Sequence, residues 1–208
     1  MSIFVDHYRR SIRMRGFDYS APNDFFITIC TIDREPLFGK IENGEMNLSE
    51  YGKIVKMTWD EIPLHYSNIE LDEFVVMPDH VHGIVRIVGE LDIYRCNNVR
   101  GMDIRRGTAC RAPTNIECAP THINHADISS LAFHQPQFEQ FSRPTINSIP
   151  TIMRSFKSAV TNRIHAIQQF HRPVWQRNYY ECVIRNEDGL SAVRMYIRNN
   201  PRNWGRDN

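Results

Sequence analysis

The chain has 208 residues and a formal net charge of +1, enough for one domain carrying an insertion and for a core without disulfide staples. It holds no apolar run long enough to cross a membrane, and its start, MSIFVDHYRR, lacks a signal peptide's apolar segment. The five Cys are odd in number and form no repeated CxxC, which points to a reducing, cytoplasmic setting.

Charge is balanced overall but uneven locally. Arg9, Arg10, Arg13 and Arg15 crowd residues 6–15 against one acid, Asp6. Arg154, Lys157, Arg163, Arg172 and Arg177 share a stretch free of Asp and Glu. Such stripes let a near-neutral chain bind a polyanion, or they are solvated helix faces.

Residues 1–20 read as a basic arm with Tyr8, Phe17 and Tyr19 interleaved, suited to contacting nucleic acid or to docking loosely. Phe25–Ile32 is β-branched and aromatic, which predicts a buried strand. Leu37–Leu48 holds Glu42-Asn43-Gly44 between apolar runs, a hairpin signal. Ser49 is a candidate N-cap. Behind it Ile54, Val55, Thr58, Trp59 and Ile62 fall on one helical face, and Pro63 is expected to end the helix.

Ile69–Met77 and His80–Val88 read as two strands joined by a Pro78-Asp79 turn. On an extended chain His80 and His82 point to one face and Val81 to the other. Two imidazoles on one strand face can offer two neutral nitrogen ligands to one metal ion. They can equally be ordinary polar residues on a solvated face.

Residues 89–150 lose periodicity and read as a variable, partly mobile insertion. It contains Cys96, Cys110, Cys118, His122, His125 and His134. The Cys118–His122–His125 spacing could suggest zinc, but without paired CxxC it makes a poor zinc motif. Order returns with a helix over Thr151–Gln169, ended by Pro173. Val174–Ile184 is aromatic and partly strand-like. Asn186 caps a last helix, Glu187–Asn199, with acids in its first turn, and Pro201 closes it. Tyr196 and Asn200 lie one turn apart on that helix. Pro201 places Asn200 at a frayed end. Spacing alone leaves Asn200 a helix cap or a metal donor, and Tyr196 a core or surface aromatic.

MPDHVHGIV, VWQRNYYECVIRN and MYIRNNPRNW, in that order, resemble the single-tyrosine HUH transposases, and within them the REP-associated tyrosine transposases of bacteria. The match covers about residues 8–88 and 149–204. The resemblance implies a single α+β domain with a ferredoxin-like antiparallel sheet and helices on one face; the long irregular insertion over residues 89–150 lies outside the match and is longer and less patterned than the family leads one to expect. The resemblance also implies a nucleophile, Tyr196, and metal ligands His80, His82 and Asn200 for Mg2+ or Mn2+. It implies nicking and joining of single-stranded DNA beside a hairpin, through a covalent phosphotyrosine. Candidate DNA contacts are Arg9, Arg10, Arg154, Lys157, Trp175, Arg177 and Tyr179; the aromatics among them are equally readable as core.

Relatives usually carry His where this chain has Cys182. That departure supports an alternative, a catalytically inactive, domesticated hairpin-DNA-binding protein. A third reading is a metallohydrolase of small phosphoesters. Tyr179 and Tyr180 are rival nucleophiles but have no ligand-type residue at helical spacing. A monomer and a homodimer, with tyrosine acting in cis or in trans, both stay open.

Overall fold

The computed structural model describes residues 17–89, 145–168 and 172–205. Arg9, Arg10, most of the basic arm, and the Cys and His residues of the insertion lie outside the described residues.

The sheet is built from β1 (Asn23–Cys30), β4 (Ile69–Val76), β5 (His80–Ile87) and β6 (Tyr180–Ile184). Their order is β4-β5-β1-β6, and every neighbouring pair is antiparallel. A separate two-stranded hairpin, β2 (Gly39–Glu42) and β3 (Glu45–Leu48), turns at Asn43-Gly44. The helices are α1 (Glu50–Asp60), α2 (Ile62–His65), α3 (Ile149–His165), α4 (Glu187–Arg198) and α5 (Asn200–Asn203). With the small hairpin set aside, the ferredoxin-like β-α-β-β-α-β order runs β1, α1, β4, β5, α3, β6.

Side chains alternate across β1. Phe25, Ile27 and Ile29 face a cluster with Val55, Trp59, Ile152, Phe156 and Val160 from α1 and α3. Phe26 faces the other way, into a cluster with Ile84, Cys182, Ile184, Leu190, Val193 and Ile197. The two long helices α1 and α3 therefore cover one face, as the ferredoxin-like expectation has it. Helix α4 lies on the opposite face, which that expectation left bare.

Gly83 in β5 has a packing reason. A Cβ there would run into the Trp59 ring and stand 3.0 Å from Phe74. Its absence lets Trp59 lie on the strand and stack on Phe74, with centroids 4.3 Å apart at 9°. Ser49 caps α1 by accepting a hydrogen bond from Gly52 N–H at 3.2 Å.

Several boundaries differ from the expected ones. β1 ends at Cys30, because Thr31 leaves the ladder to bond the Asp79 carbonyl and bridge to Trp175. Within Val174–Ile184 the strand is confined to Tyr180–Ile184. Helix α3 starts at Ile149 with Pro150 in its first turn and ends at His165. Pro63 and Pro201 open short helices rather than close long ones. The first turn tolerates proline because its N–H groups have no intrahelical partner.

Candidate active site

Strand β5 starts at His80, straight out of the Pro78-Asp79 turn, and this sets its phase. Val81 and Val85 join the α1/α3 cluster, while Ile84 joins the α4 cluster. His80 and His82 share the phase of Ile84, and both are buried, at 0% and 1% exposure. Buried imidazoles need partners. His80 Nδ1–H donates to Asp79 Oδ1 at 2.5 Å, and His82 Nδ1 lies 2.7 Å from Thr28 Oγ1. Held by Nδ1, each ring turns its Nε2 atom away from that partner, an arrangement that could serve a metal-binding histidine fixed by a second group. The two ring centroids are 4.6 Å apart. Burial pushes the His80 pKa down, against the raising pull of Asp79. A neutral ring is the form that binds a cation.

Tyr196 reaches the same place from α4. Its ring centroid is 5.4 Å from His82 and 5.7 Å from Phe26, and Phe26 stacks on His82 at 5.3 Å. Asn186 caps the helix by accepting from Gly189 N–H at 2.7 Å. Arg194 and Arg198, on either side of Tyr196, hold the helix to β4. Arg194 Nε donates to both Asp72 carboxylate oxygens, at 3.1 and 3.0 Å. Arg198 Nη2 donates to Glu73 Oε1 at 2.7 Å. Neighbouring strand residues normally point to opposite faces. The ladder is irregular between Leu71 and Phe74, and a bulge there lets Asp72 and Glu73 both reach α4.

Asn200 is the residue whose setting differs most from the expected frayed end. It is fully buried in the first turn of α5. The helix cap is Asn199 instead. The Asn200 amide sits against the His80 ring, whose pKa it raises, but neither amide atom completes a well-formed hydrogen bond. A buried polar group left in that state costs about 1–3 kcal/mol. Trp204, just past α5, stacks on His80 with centroids 6.0 Å apart.

Among the described residues no three His, Cys, Asp or Glu are grouped to hold a metal ion. A metal here needs the Asn200 amide oxygen as third donor beside the two imidazoles. The orphaned, buried amide fits that role, and the N,N,O donor set suits a divalent ion.

Over 201 aligned residues the chain is 35% identical to an uncharacterized protein of Haemophilus influenzae, spanning 97% of this chain and 92% of that one. The chain belongs to that protein's family. No protein-family model matches it. A solved structure of a REP-associated tyrosine transposase bound to a REP hairpin aligns at 13% identity, with a TM-score of 0.52 over 94% of this chain and 74% of the other. The fold is that of a REP-associated tyrosine transposase.

On this transposase fold the remaining expected residues are scattered. Trp175 is a core side chain, 7% exposed, packed against Phe38 and Phe156. The Lys157 ammonium donates to the Gln176 carbonyl at 2.6 Å, and burial lowers its pKa to about 8. Trp175 is withdrawn from the surface, and half-buried Lys157 turns its ammonium onto backbone carbonyls. Arg154 and Arg177 are exposed, and Tyr179 is half-buried against the α1/α3 cluster. The rival Tyr180 meets Phe26 at 6.3 Å, and burial pushes its pKa up. Cys182 is a core residue of the α4 face.

Sequence reasoning missed Thr28, Asp79, Asp72, Glu73 and Trp204. The pairing of Arg194 and Arg198 around Tyr196 was a readable signal, since cations one turn apart share a face. Thr28 had none, because its pairing opposite His82 is a matter of strand register.

Proposed function

We propose that the protein is a metal-dependent endonuclease and strand transferase of single-stranded DNA, working beside DNA hairpins with Tyr196 as nucleophile. The observation that carries this is the meeting of buried His80, His82 and Asn200 with half-buried Tyr196 in one cluster from two distant parts of the chain. The solved transposase of similar fold is bound to a REP hairpin, which supports hairpin DNA as the substrate class.

His80, His82 and Asn200 would hold Mg2+ or Mn2+. Because these donors are neutral, the bound ion would keep its full charge to polarise the scissile phosphate. The chain's own residues do the rest. Asp79 and Thr28 fix the imidazoles by their Nδ1 atoms. The Asp72–Arg194 and Glu73–Arg198 pairs fix the helix of Tyr196. Tyrosine has an ordinary pKa of roughly 10, so it attacks only where the phosphate is already activated. The Tyr196 oxygen bonds to phosphorus and gives up its proton. The bond from phosphorus to the 3′-oxygen breaks, and that oxygen leaves as a hydroxyl once protonated. The covalent link conserves the phosphoester, so the same site can rejoin strands. Arg154 and Arg177 are surface cations available to the DNA backbone.

The test is a covalent-adduct assay. Full-length protein is mixed with labelled single-stranded fragments flanking its own gene, with Mg2+ or Mn2+, then denatured. A metal-dependent adduct that disappears in Tyr196→Phe is expected. An adduct persisting in that variant would move the nucleophile elsewhere. Tight hairpin binding with no adduct under any metal would favour the binding-protein reading.

A further inference from the structure

Cutting a strand through Tyr196 makes the 3′-oxygen a leaving alkoxide, which needs a proton donor beside it. Strand register points to one. Thr28 of β1 stands opposite His82 of β5 on one side and opposite Tyr180 of β6 on the other. Residues paired directly across antiparallel strands put their side chains on the same face. His82, Thr28 and Tyr180 thus form one row on the α4 face, with Tyr180 about 10 Å along it from His82, two strand spacings. The next row is Ile84, Phe26 and Cys182. Phe26 lies among three rings: it stacks on His82 at 5.3 Å, meets Tyr196 edge-on at 5.7 Å and meets Tyr180 edge-on at 6.3 Å. The two phenols therefore flank one support beside the imidazoles. They come from different directions, Tyr196 from α4 and Tyr180 from the sheet. In-line displacement sets the nucleophile and the leaving oxygen on opposite sides of phosphorus, which suits a donor carried by an element other than α4.

The other titratable groups on this face are poorer donors. Asp79 is held between His80 and Arg34. Asp24, two rows away from Thr28 along β1, is bound by Arg86. Cys30 lies opposite His80, and a thiol is a weak hydrogen-bond donor. Glu181 is paired with Ile27 and so shares the face of the α1/α3 cluster. Tyr180 is 39% exposed, so a substrate can reach it. Burial of the rest of the ring pushes its pKa up, so the phenol keeps its proton at neutral pH. An alkoxide is a stronger base than a phenolate, and the transfer runs downhill as the bond to phosphorus breaks.

We propose that Tyr180 is the general acid that protonates the leaving 3′-oxygen when Tyr196 cuts the strand. This rests on the reading of Tyr196 as the nucleophile of strand cleavage. The Tyr196 oxygen bonds to phosphorus, and the bond from phosphorus to the 3′-oxygen breaks. The electron pair of that bond stays on the 3′-oxygen, which takes the proton of Tyr180 Oη. The Tyr196 proton passes to water, and the Tyr180 phenolate takes one back from water, so protons and charge balance over the step.

The test compares two leaving groups. Full-length protein with Mn2+ is given a single-stranded fragment flanking its own gene, whose cut site the covalent adduct maps. It is also given the same fragment with sulfur in place of the 3′-oxygen at that site. A thiolate leaves without a proton, so the second substrate needs no acid. Single-turnover rates of adduct formation are measured for the wild type and for Tyr180→Phe, which keeps the ring on Phe26, with hairpin affinity as the check on folding. Tyr180→Phe should be slowed about 100-fold on the ordinary substrate and fall within about threefold of the wild type on the sulfur substrate. A variant as fast as the wild type on the ordinary substrate overturns the proposal. Equal slowing on both substrates also overturns it, by making Tyr180 a support for the site. So does a wild type that itself gains about 100-fold from sulfur, since no acid would then be serving the oxygen. Each of these leaves the catalytic reading standing. A wild type that forms no adduct overturns that reading, and this proposal with it.

Discussion

One face of β5 presents Val81, Gly83 and Val85 to α1 and α3, while the other presents His80, His82 and Ile84 to α4. On the first face the Trp59–Phe74 stack over Gly83 answers to volume and shape. On the second, buried polar atoms are held by named partners: Asp79 on His80, Thr28 on His82, Glu73 on Arg198. The first face has the form of a core built for stability. The second keeps an orphaned amide, Asn200, that a stability-driven core would exclude. One strand thus carries a scaffold on one side and a candidate reaction centre on the other.

That division is broken or sharpened by substitutions on each side. The largest effect is expected on the packed face. Trp59→Ala should cost about 3–5 kcal/mol in chemical denaturation, with Gly83→Ala costing about 1–3 kcal/mol by overpacking. If both were silent, the packed face would not be the source of stability.

Glu73→Gln is expected to be milder in stability, about 1–3 kcal/mol, because it weakens the two charge-assisted hydrogen bonds that half-buried Arg198 donates to the buried Glu73 carboxylate. Its mark should be a slower single-turnover adduct rate with DNA affinity retained, since the pair holds the Tyr196 helix. A loss of DNA affinity equal to the loss of rate would deny it that positioning role.

The smallest change in metal-free stability is expected at Asn200, a fully buried residue. Relief of the orphaned amide and the cavity left by truncating a fully buried side chain act in opposite directions, so Asn200→Ala should stay within about 1 kcal/mol of wild type in chelator. The same variant should lose the rise in Tm that Mn2+ gives the wild type. A variant unstable in chelator, or still stabilised by Mn2+, would make Asn200 structural rather than a donor.

Much of the fold was legible before any coordinates. The β-branched runs, the Asn-Gly turn, the caps Ser49 and Asn186 and the helical stripe through Trp59 are local signals, and each led to the right kind of element. Their ends were less legible. Thr31 leaves β1 because distant groups, the Asp79 carbonyl and Trp175, compete for it.

For the site, the alternation of His80 and His82 was a strand-period fact that any extended segment would obey. Tyr196 and Asn200 were recognisable by motif. That their side chains meet the imidazoles was not, nor was the burial of Asn200, because both depend on α4 crossing the face opposite α1 and α3.

The sequence by itself determined which residues could do the chemistry and which local conformations they take, because turns, caps and periodicity are written in neighbours a few positions apart. The tertiary structure alone decided which groups are buried together. It placed Thr28 and Asp79 behind the imidazoles, the β4 bulge under Arg194 and Arg198, Trp175 in the core, and Tyr180 in one row with His82. Those pairings come from strand register and helix docking, where the packing of distant segments fixes what no short stretch of chain encodes.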